Sequence, residues 1–341
     1  MARPKLLPDS FTLCLVSTVV LASLLPVHGQ AAVGFNWLTN FAVGLLFFLH
    51  GAKLSREAIV AGATHWRLHA VVLLSTFALF PLLGLALKPL LSPLVTPALY
   101  AGVLFLSTLP STVQSSIAFT SIAKGNVPAA VCSASASSLL GIFITPALVS
   151  LVVTNQTAGG GSAWHTVWNI VLQLLVPFVA GQLLRPVIGG WLERNRGVLK
   201  FVDQGSILLV VYGAFSEAVN EGLWRHTSLG ALGGLVLINI VLLALALTVT
   251  MFVSKRLGFN RADQITIIFC GSKKSLAAGV PMAKVIFASH AVGAVVLPLM
   301  LFHQIQLMVC AALAQRWGAR DISGENRAAA ADSTAAAVAR R

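Results

Sequence analysis

Two segments decide the fold of this chain, because each interrupts an apolar stretch with a cluster of polar residues. They read FLSTLPSTVQSSIAFTSIAKGN (105–126) and IIFCGSKKSLAAGVPMAKVIF (267–287). In the first, Pro110 cannot donate to a helical hydrogen-bond ladder, and in the second Gly271 precedes four consecutive polar residues. A helix opened among apolar groups exposes N–H and C=O groups, which protein, ions or water must then satisfy. Both segments are therefore candidate binding sites within a membrane.

The composition of the chain is that of a membrane protein. Its 341 residues are 57% hydrophobic and only 10% charged, with a net charge of +13. Soluble domains carry about 25% charged residues, so this chain has too few to cover a water-exposed surface. Positive residues in membrane proteins mark cytoplasmic loops, which explains the basic charge without a nucleic-acid partner. We expect an all-α polytopic membrane protein whose partner is the lipid bilayer.

Ten apolar stretches have the length that a helix needs to cross a bilayer, about 20 residues. They cover 10–27, 34–51, 68–87, 97–123, 127–153, 164–185, 201–219, 229–253, 262–288 and 291–314. A signal peptide is the alternative for the first stretch, since a basic start precedes an apolar run and small residues follow near 30–32. Removing that stretch would leave nine spans and mix the charges of the two sides.

The basic residues divide unevenly between the two sides of this ten-span arrangement. With a cytoplasmic N-terminus, 18 of the 23 Lys and Arg residues fall on the inner side and three on the outer side. Lys273 and Lys274 remain inside a span. This is the positive-inside pattern. It predicts a multi-pass protein of the cell inner (plasma) membrane with both termini cytoplasmic and a loop at 154–165 that faces outward.

A Gly-rich loop divides the ten spans into five and five. An odd number per half makes the second half enter from the opposite side, so two repeats would be inverted, as in many secondary transporters. We expect a first five-helix repeat at 1–156, a second at 157–315 and a cytoplasmic tail at 316–341 that is disordered or a fraying helix. The interrupted segments are then broken helices four and nine, at matching positions where they would cross. A proline kink patched by Ser and Thr hydroxyls is the alternative for the fourth helix alone.

Lys273 and Lys274 are the most unusual residues of the sequence. Lys273 lies 11 residues into its span. A cation at that depth costs about 2.5–3.5 kcal/mol on insertion scales. In the structural interpretation, a lysine bonds carbonyls freed by the crossing helix. In the functional one, a lysine attracts an anionic substrate or replaces a coupling cation, with Ser272 and Ser275 beside it. Glu217, near the outer end of the seventh span, is a candidate partner.

The predicted binding residues combine both interruptions with part of the tenth span. There, His303 and Gln306 are three residues apart and share a helix face, and bridging to another helix is the alternative role for this group. The substrate- or ion-binding candidates are Ser111, Thr112, Ser115, Ser116, Ser272, Lys273, Lys274, Ser275, His303 and Gln304. The sequence contains no G-x-S-x-G, HExxH or CxxC motif. We therefore predict no catalytic residue, no cofactor and no metal site.

The two quoted segments resemble the bile acid:sodium symporter superfamily, in its fourth-and-fifth-helix region and its ninth helix. The second is similar to the subgroup typified by member 7 of solute carrier family 10 and its bacterial relatives, as are QLLVPFVAGQLLRP (173–186) and LPLMLFHQIQ (297–306). The resemblance implies a panel domain and a core domain, helices four and nine that cross at their breaks, and transport by alternating access.

The same resemblance implies a cation site that this chain matches only in part. Ser115 and Ser116 match the polar step of the family's fourth helix, and His303-Gln304 resembles a His-Asn pair of its tenth. In the ninth helix the family's acid is missing, and lysines stand in its Gln/Asn region. The fold therefore carries over, while sodium coupling and bile-acid specificity do not.

These observations predict a secondary transporter of a small organic anion that works by alternating access. Coupling to sodium or to protons stays open. The alternative is a membrane regulator or sensor that uses the same fold without transport. Neither an enzyme nor a nucleic-acid-binding protein is expected.

Overall fold

The computed structural model describes residues 10–53, 65–91, 94–153, 163–220, 222–287 and 292–338. Within these ranges the regular structure is helical and contains no strand. Most of the Gly-rich loop at 154–165, which the sequence analysis places on the outer side, lies outside the described residues.

Twelve helices carry the architecture of the described ranges. Two single turns, Lys88–Leu91 and Leu223–His226, connect some of them. The helices are α1 (Ser10–Leu24), α2 (Gly29–Lys53), α3 (Trp66–Ala86, with a π-helical turn at Ser75–Leu79), α4 (Pro97–Thr108), α5 (Gln114–Ile122), α6 (Val127–Val152), α7 (Ala163–Arg194), α8 (Arg196–Asn220), α9 (Leu229–Arg256), α10 (Arg261–Gly271), α11 (Leu276–Ile286) and α12 (Val292–Val338).

Seven of these helices are long and apolar enough to cross a membrane, namely α2, α3, α6, α7, α8, α9 and α12. The chain is therefore a multi-pass, all-helical membrane protein. The fourth and ninth predicted spans are each a pair of shorter helices. Non-helical residues 109–113 separate α4 from α5, and residues 272–275 separate α10 from α11. Helix α12 continues to Val338.

Helices α1, α2, α7 and α8 pack on one another, and the remaining helices surround the two broken pairs. The closest approach is between α2 and α7, where the two backbones touch at Gly51 and Gly181. A Cβ atom at Gly51 would lie 2.0 Å from the Phe178 carbonyl oxygen, and one at Gly181 would lie 2.0 Å from the Phe48 carbonyl oxygen. Small residues thus allow these two helices to pack as one unit.

The two broken pairs are also joined at the end of the bundle where α5 stops and α10 begins. Asn126 accepts from the Ala129 N–H at the start of α6 and donates to Asp263, with an Nδ2–Oδ1 distance of 2.8 Å. Asp263 also accepts from Asn260, 2.9 Å away, and is buried. This polar contact fixes α5, α6 and α10 relative to one another.

Candidate functional site

The two breaks touch each other directly. The Ser275 N–H donates to the Pro110 carbonyl oxygen at 2.9 Å. Two hydroxyls of the first break reach the end of α10, since Ser111 Oγ donates to Cys270 O at 2.5 Å and Ser116 Oγ donates to Phe269 O at 3.1 Å. Two carbonyls at the C-terminus of α10, those of Phe269 and Cys270, are therefore satisfied by the other broken helix.

The end of α4 is satisfied differently, by the ammonium group of Lys274. Its Nζ donates to three carbonyl oxygens, of Thr76 at 2.6 Å and of Ser107 and Leu109 at 2.7 Å each. The group also lies 4.3 Å from the centroid of the Phe80 ring, and the side chain has no exposed surface. A lysine has three donors, and here each has a carbonyl acceptor.

The Thr76 carbonyl has no backbone N–H partner in the π-helical pattern, because a proline follows in α3. In the π-helical turn the Phe80 N–H donates to Ser75 O, five residues back. The next donor in that pattern would be residue 81, and Pro81 has no N–H. The π turn and Pro81 together therefore leave the Thr76 carbonyl without a backbone donor, and Lys274 donates to it instead.

The carbonyls of Ser107 and Leu109 are free because α4 ends at the break. In a continuing helix Ser111 would donate to Ser107 O, but its N–H donates instead to Ser137 Oγ at 3.0 Å. The partial negative charge of a helix C-terminus favours a cation there. Lys274 thus supplies the charge that the end of α4 requires.

Lys273 has a different and less complete set of partners. Its Nζ donates to one carbonyl, Ser115 O, at 2.9 Å. It also lies 3.9 Å from the centroid of the Phe119 ring and 5.3 Å from that of Phe269. The side chain is fully buried. One hydrogen bond and two cation–π contacts hold this ammonium group.

The proposed pairing of these lysines with Glu217 is wrong. Glu217 accepts from Lys284 instead, at 3.1 Å. Both residues lie away from the breaks, near the ends of α8 and α11. The sequence alone did not show that Glu217 lies at a different depth along the helix bundle from Lys273 and Lys274.

Gln306 of α12 ties the second break to the tenth predicted span. Its Oε1 accepts from the Lys274 N–H at 2.9 Å, and its Nε2 donates to Lys274 O at 2.8 Å. The same Nε2 lies 2.9 Å from His303 Nδ1. The sequence analysis noted the spacing of His303 and Gln306 but left Gln306 out of the binding candidates. Its observed contacts bridge helices.

A cavity of about 400 Å³ lies against the crossing. Thr112, Ser115, Ser275 and His303 contribute polar groups to its wall, most of which is apolar. Helices α5 and α11 both begin at this wall, so the positive ends of two helix dipoles meet the cavity. Ser275 caps α11 by accepting from the Ala278 N–H at 3.2 Å.

One end of the cavity is charged. His50 and Lys53 of α2 and Lys200 and Asp203 of α8 line it, and Lys53 forms an ion pair with Asp203. A second hollow of about 420 Å³ continues beyond them and shares three of these residues. The sequence analysis missed this group, although charged residues at the ends of two predicted spans were the available signal.

The structure divides the predicted binding residues into three groups. Thr112, Ser115, Ser275 and His303 line the cavity, and Ser111, Ser116, Lys273 and Lys274 make contacts within the crossing. The third group is Ser272, whose Oγ donates to Ile268 O of α10 at 2.6 Å, and Gln304; neither lines the cavity. Lys273 and Lys274 do not line the cavity either. Among the described residues, no three His, Cys, Asp or Glu side chains form a metal site.

The sequence matches the model of the SBF-like CPA transporter family over residues 9–319. The chain belongs to this family. Members similar to it include PA2026 of Pseudomonas aeruginosa, named as an uncharacterized protein, which is 66% identical over 320 residues (94% of this chain and 96% of the relative). YfeH of Escherichia coli, named as a candidate symporter, is 57% identical over 309 residues (91% and 92%).

More distant relatives of this SBF-like chain carry a more specific name. Sodium/bile acid cotransporter 7 of Rattus norvegicus is 29% identical over 277 residues, which is 80% of each chain. Together with the family match, these relatives confirm the resemblance to the bile acid:sodium symporter superfamily. Their names as transporters fit the expectation that the chain is not an enzyme.

Proposed function

We propose that this member of the SBF-like family is a secondary transporter that moves a small organic anion by alternating access and has no obligatory need for sodium. The observation that carries the proposal is the cavity that ends on two crossed, broken helices. Broken helices at membrane depth are tolerated where they line a solute pathway.

The charges around the cavity favour an anion. Lys53 and Lys200 outnumber Asp203 at its charged end, and the positive ends of α5 and α11 also meet its wall. A volume of about 400 Å³ lies within the range of small-molecule pockets. The largely apolar wall favours an organic anion over an inorganic one.

The cavity opens toward the cytoplasm in this proposal. Its charged end carries Lys53 and Lys200, and Arg67 follows at the start of α3. The positive-inside pattern assigns that end to the cytoplasm, with ten spans and both termini inside. Transport would then require a movement of α1, α2, α7 and α8 relative to the helices around the crossing.

The sodium part of the proposal rests on Lys274. Carbonyl oxygens that replace a hydration shell are the usual ligands of alkali cations. Here three carbonyls already hold an ammonium group that the chain itself supplies. Sodium is named for the more distant relatives, but this chain places a tethered cation where carbonyls converge. Coupling to protons remains compatible with this arrangement.

Uptake by the purified protein in proteoliposomes tests the proposal. A labelled bile acid, a labelled aryl carboxylate and a labelled aliphatic carboxylate are offered in sodium-free buffer, with and without a proton gradient. We expect at least one of them to accumulate, and Ala278→Trp, which fills the cavity, to abolish uptake. Leu237→Trp, at a 54% exposed position outside the cavity, is the matched control. Binding without accumulation would instead support the regulator, and accumulation only with sodium would refute the sodium claim.

A further inference from the structure

We infer that Glu217 of α8 and Lys284 of α11 form the outer gate of the transport pathway, an ion pair that must separate before the cavity opens to the outside. The inference rests on the proposed alternating access. It assigns a role to two charged residues that lie apart from the crossing and from the cavity.

Helices α8 and α12 touch at one end and separate at the other. A Cβ atom at Gly293 would lie 2.7 Å from Ala218 Cβ and 2.9 Å from Ala214 O, so the two helices are in close contact there. Further along, Ile207 of α8 and His303 of α12 both line the cavity. The space between the helices is therefore a wedge, closed at the Gly293 end and open at the charged end.

The ion pair lies at the closed end of this wedge. The Lys284 Nζ and Glu217 Oε2 atoms are 3.1 Å apart, and the Lys284 side chain is only 9% exposed, compared with 38% for Glu217. Glu217 is one residue before Ala218, the residue of α8 that Gly293 approaches. The ion pair and the contact between Gly293 and Ala218 thus lie at the same end of the space between the helices and close it there.

The pair also connects the two parts that must move. Lys284 lies on α11, the helix whose first turn carries Ser275 and Ala278 at the cavity wall. Glu217 lies on α8, which packs with α1 and α2. An opening on the outer side has to pull α8 away from α11, and this leaves the Lys284 ammonium without its carboxylate.

A buried charge that loses its partner is unfavourable. The pair therefore favours the state in which the outer side is closed and the cavity is open to the inside. Removing either charge removes this preference and raises the share of outward-open molecules. Exchanging the two residues rebuilds the pair and restores it.

Side-specific labelling of a cavity cysteine tests the gate without knowledge of the substrate. Ser138→Cys places a thiol on the cavity wall in a variant without the native cysteines, and a variant that keeps only the native, fully buried Cys310 is the unreactive control. A membrane-impermeant thiol reagent is applied to right-side-out and to inside-out vesicles. With the pair intact, we expect labelling from the inside only.

Glu217→Gln and Lys284→Met should each raise the rate of labelling from the outside about tenfold or more, the change that about 1.4 kcal/mol produces in an equilibrium. The exchange Glu217→Lys with Lys284→Glu should return the rate to that of the parent. Lys255→Met, which removes a charge at an exposed position near the end of α9 and outside both hollows, should leave it unchanged.

Two results would overturn the gate: an unchanged outside rate in Glu217→Gln with normal thermal unfolding, or no restoration by the exchange. If Lys284→Met does not fold, Glu217→Gln decides, because Glu217 is the more exposed partner. A protein that shows no uptake but responds in this labelling assay would contradict the transport proposal while supporting the gate.

Discussion

The two faces of the helix crossing differ in which groups contact the ends of the broken helices. On one face, the ammonium groups of Lys273 and Lys274 donate hydrogen bonds to carbonyls of α3, of the end of α4 and of α5. Of the residues that accept these bonds, Ser115 alone also lines the cavity. On the other face, hydroxyls, His303 and the starts of α5 and α11 line a cavity. The difference teaches that one pair of breaks can be satisfied by the chain's own lysines on one side and border a cavity on the other.

The polarity of helices explains this division. A broken helix ends with free carbonyls, which favour a cation, and starts again with free N–H groups, which favour an anion. Lys274 supplies the cation at the end of α4. The anion at the starts of α5 and α11 is supplied, in our proposal, by the substrate.

We expect the largest loss of stability from removing the ammonium group of Lys274, which holds three carbonyls at the crossing. Lys274→Met leaves three buried carbonyls without this donor, and we expect a loss of about 3 kcal/mol or more in the free energy of unfolding, because each buried group left unsatisfied costs about 1–3 kcal/mol. Thermal unfolding of purified protein in detergent measures it, with Leu237→Met as control on the lipid face. A loss below about 1 kcal/mol, the net worth of one ordinary hydrogen bond, would show that Lys274 does not hold the crossing together.

Lys273→Met tests whether the two buried lysines contribute unequally to stability. Its ammonium makes one hydrogen bond to a carbonyl, so we expect a smaller loss of about 1.5–3 kcal/mol, the value for a single bond to a charged group. The two variants are measured side by side in the same detergent. Equal losses, or a larger one for Lys273→Met, would contradict the unequal roles that the distances assign.

Ser111→Ala tests the end of α10, which hydroxyls satisfy. Removing Ser111 Oγ leaves Cys270 O without that donor, and we expect a loss of about 1–2 kcal/mol. Ser254→Ala removes a buried hydroxyl that bonds within its own helix, to Met251 O, and serves as the matched control with little effect. Similar losses for both would mean that the contact between the two breaks contributes nothing particular.

The sequence predicted the breaks because Pro110 and Gly271 stand at matching positions in two apolar stretches. For the two lysines it offered two interpretations, a bond to freed carbonyls or the binding of an anion, and it did not choose between Lys273 and Lys274. The difference between Lys273 and Lys274 depends on the π turn and Pro81 in a third helix, which no spacing within the ninth span reveals.

The cavity was harder to predict than the crossing. Its polar wall near the breaks includes the predicted Thr112, Ser115 and Ser275. Its charged end comes from α2 and α8, whose approach depends on tertiary packing. The same packing pairs Glu217 with Lys284 instead of with the buried lysines.

The response of the wild-type protein to sodium tests the central claim most directly, that the chain supplies its own cation at the crossing. Thermal unfolding is followed while NaCl replaces choline chloride at constant ionic strength, with KCl as a second comparison. We expect a sodium-specific stabilisation below about 0.4 kcal/mol, the value reached when a ligand equals its dissociation constant. A saturable, sodium-specific rise toward about 2.7 kcal/mol, which a ligand at 100 times its dissociation constant produces, would contradict the claim.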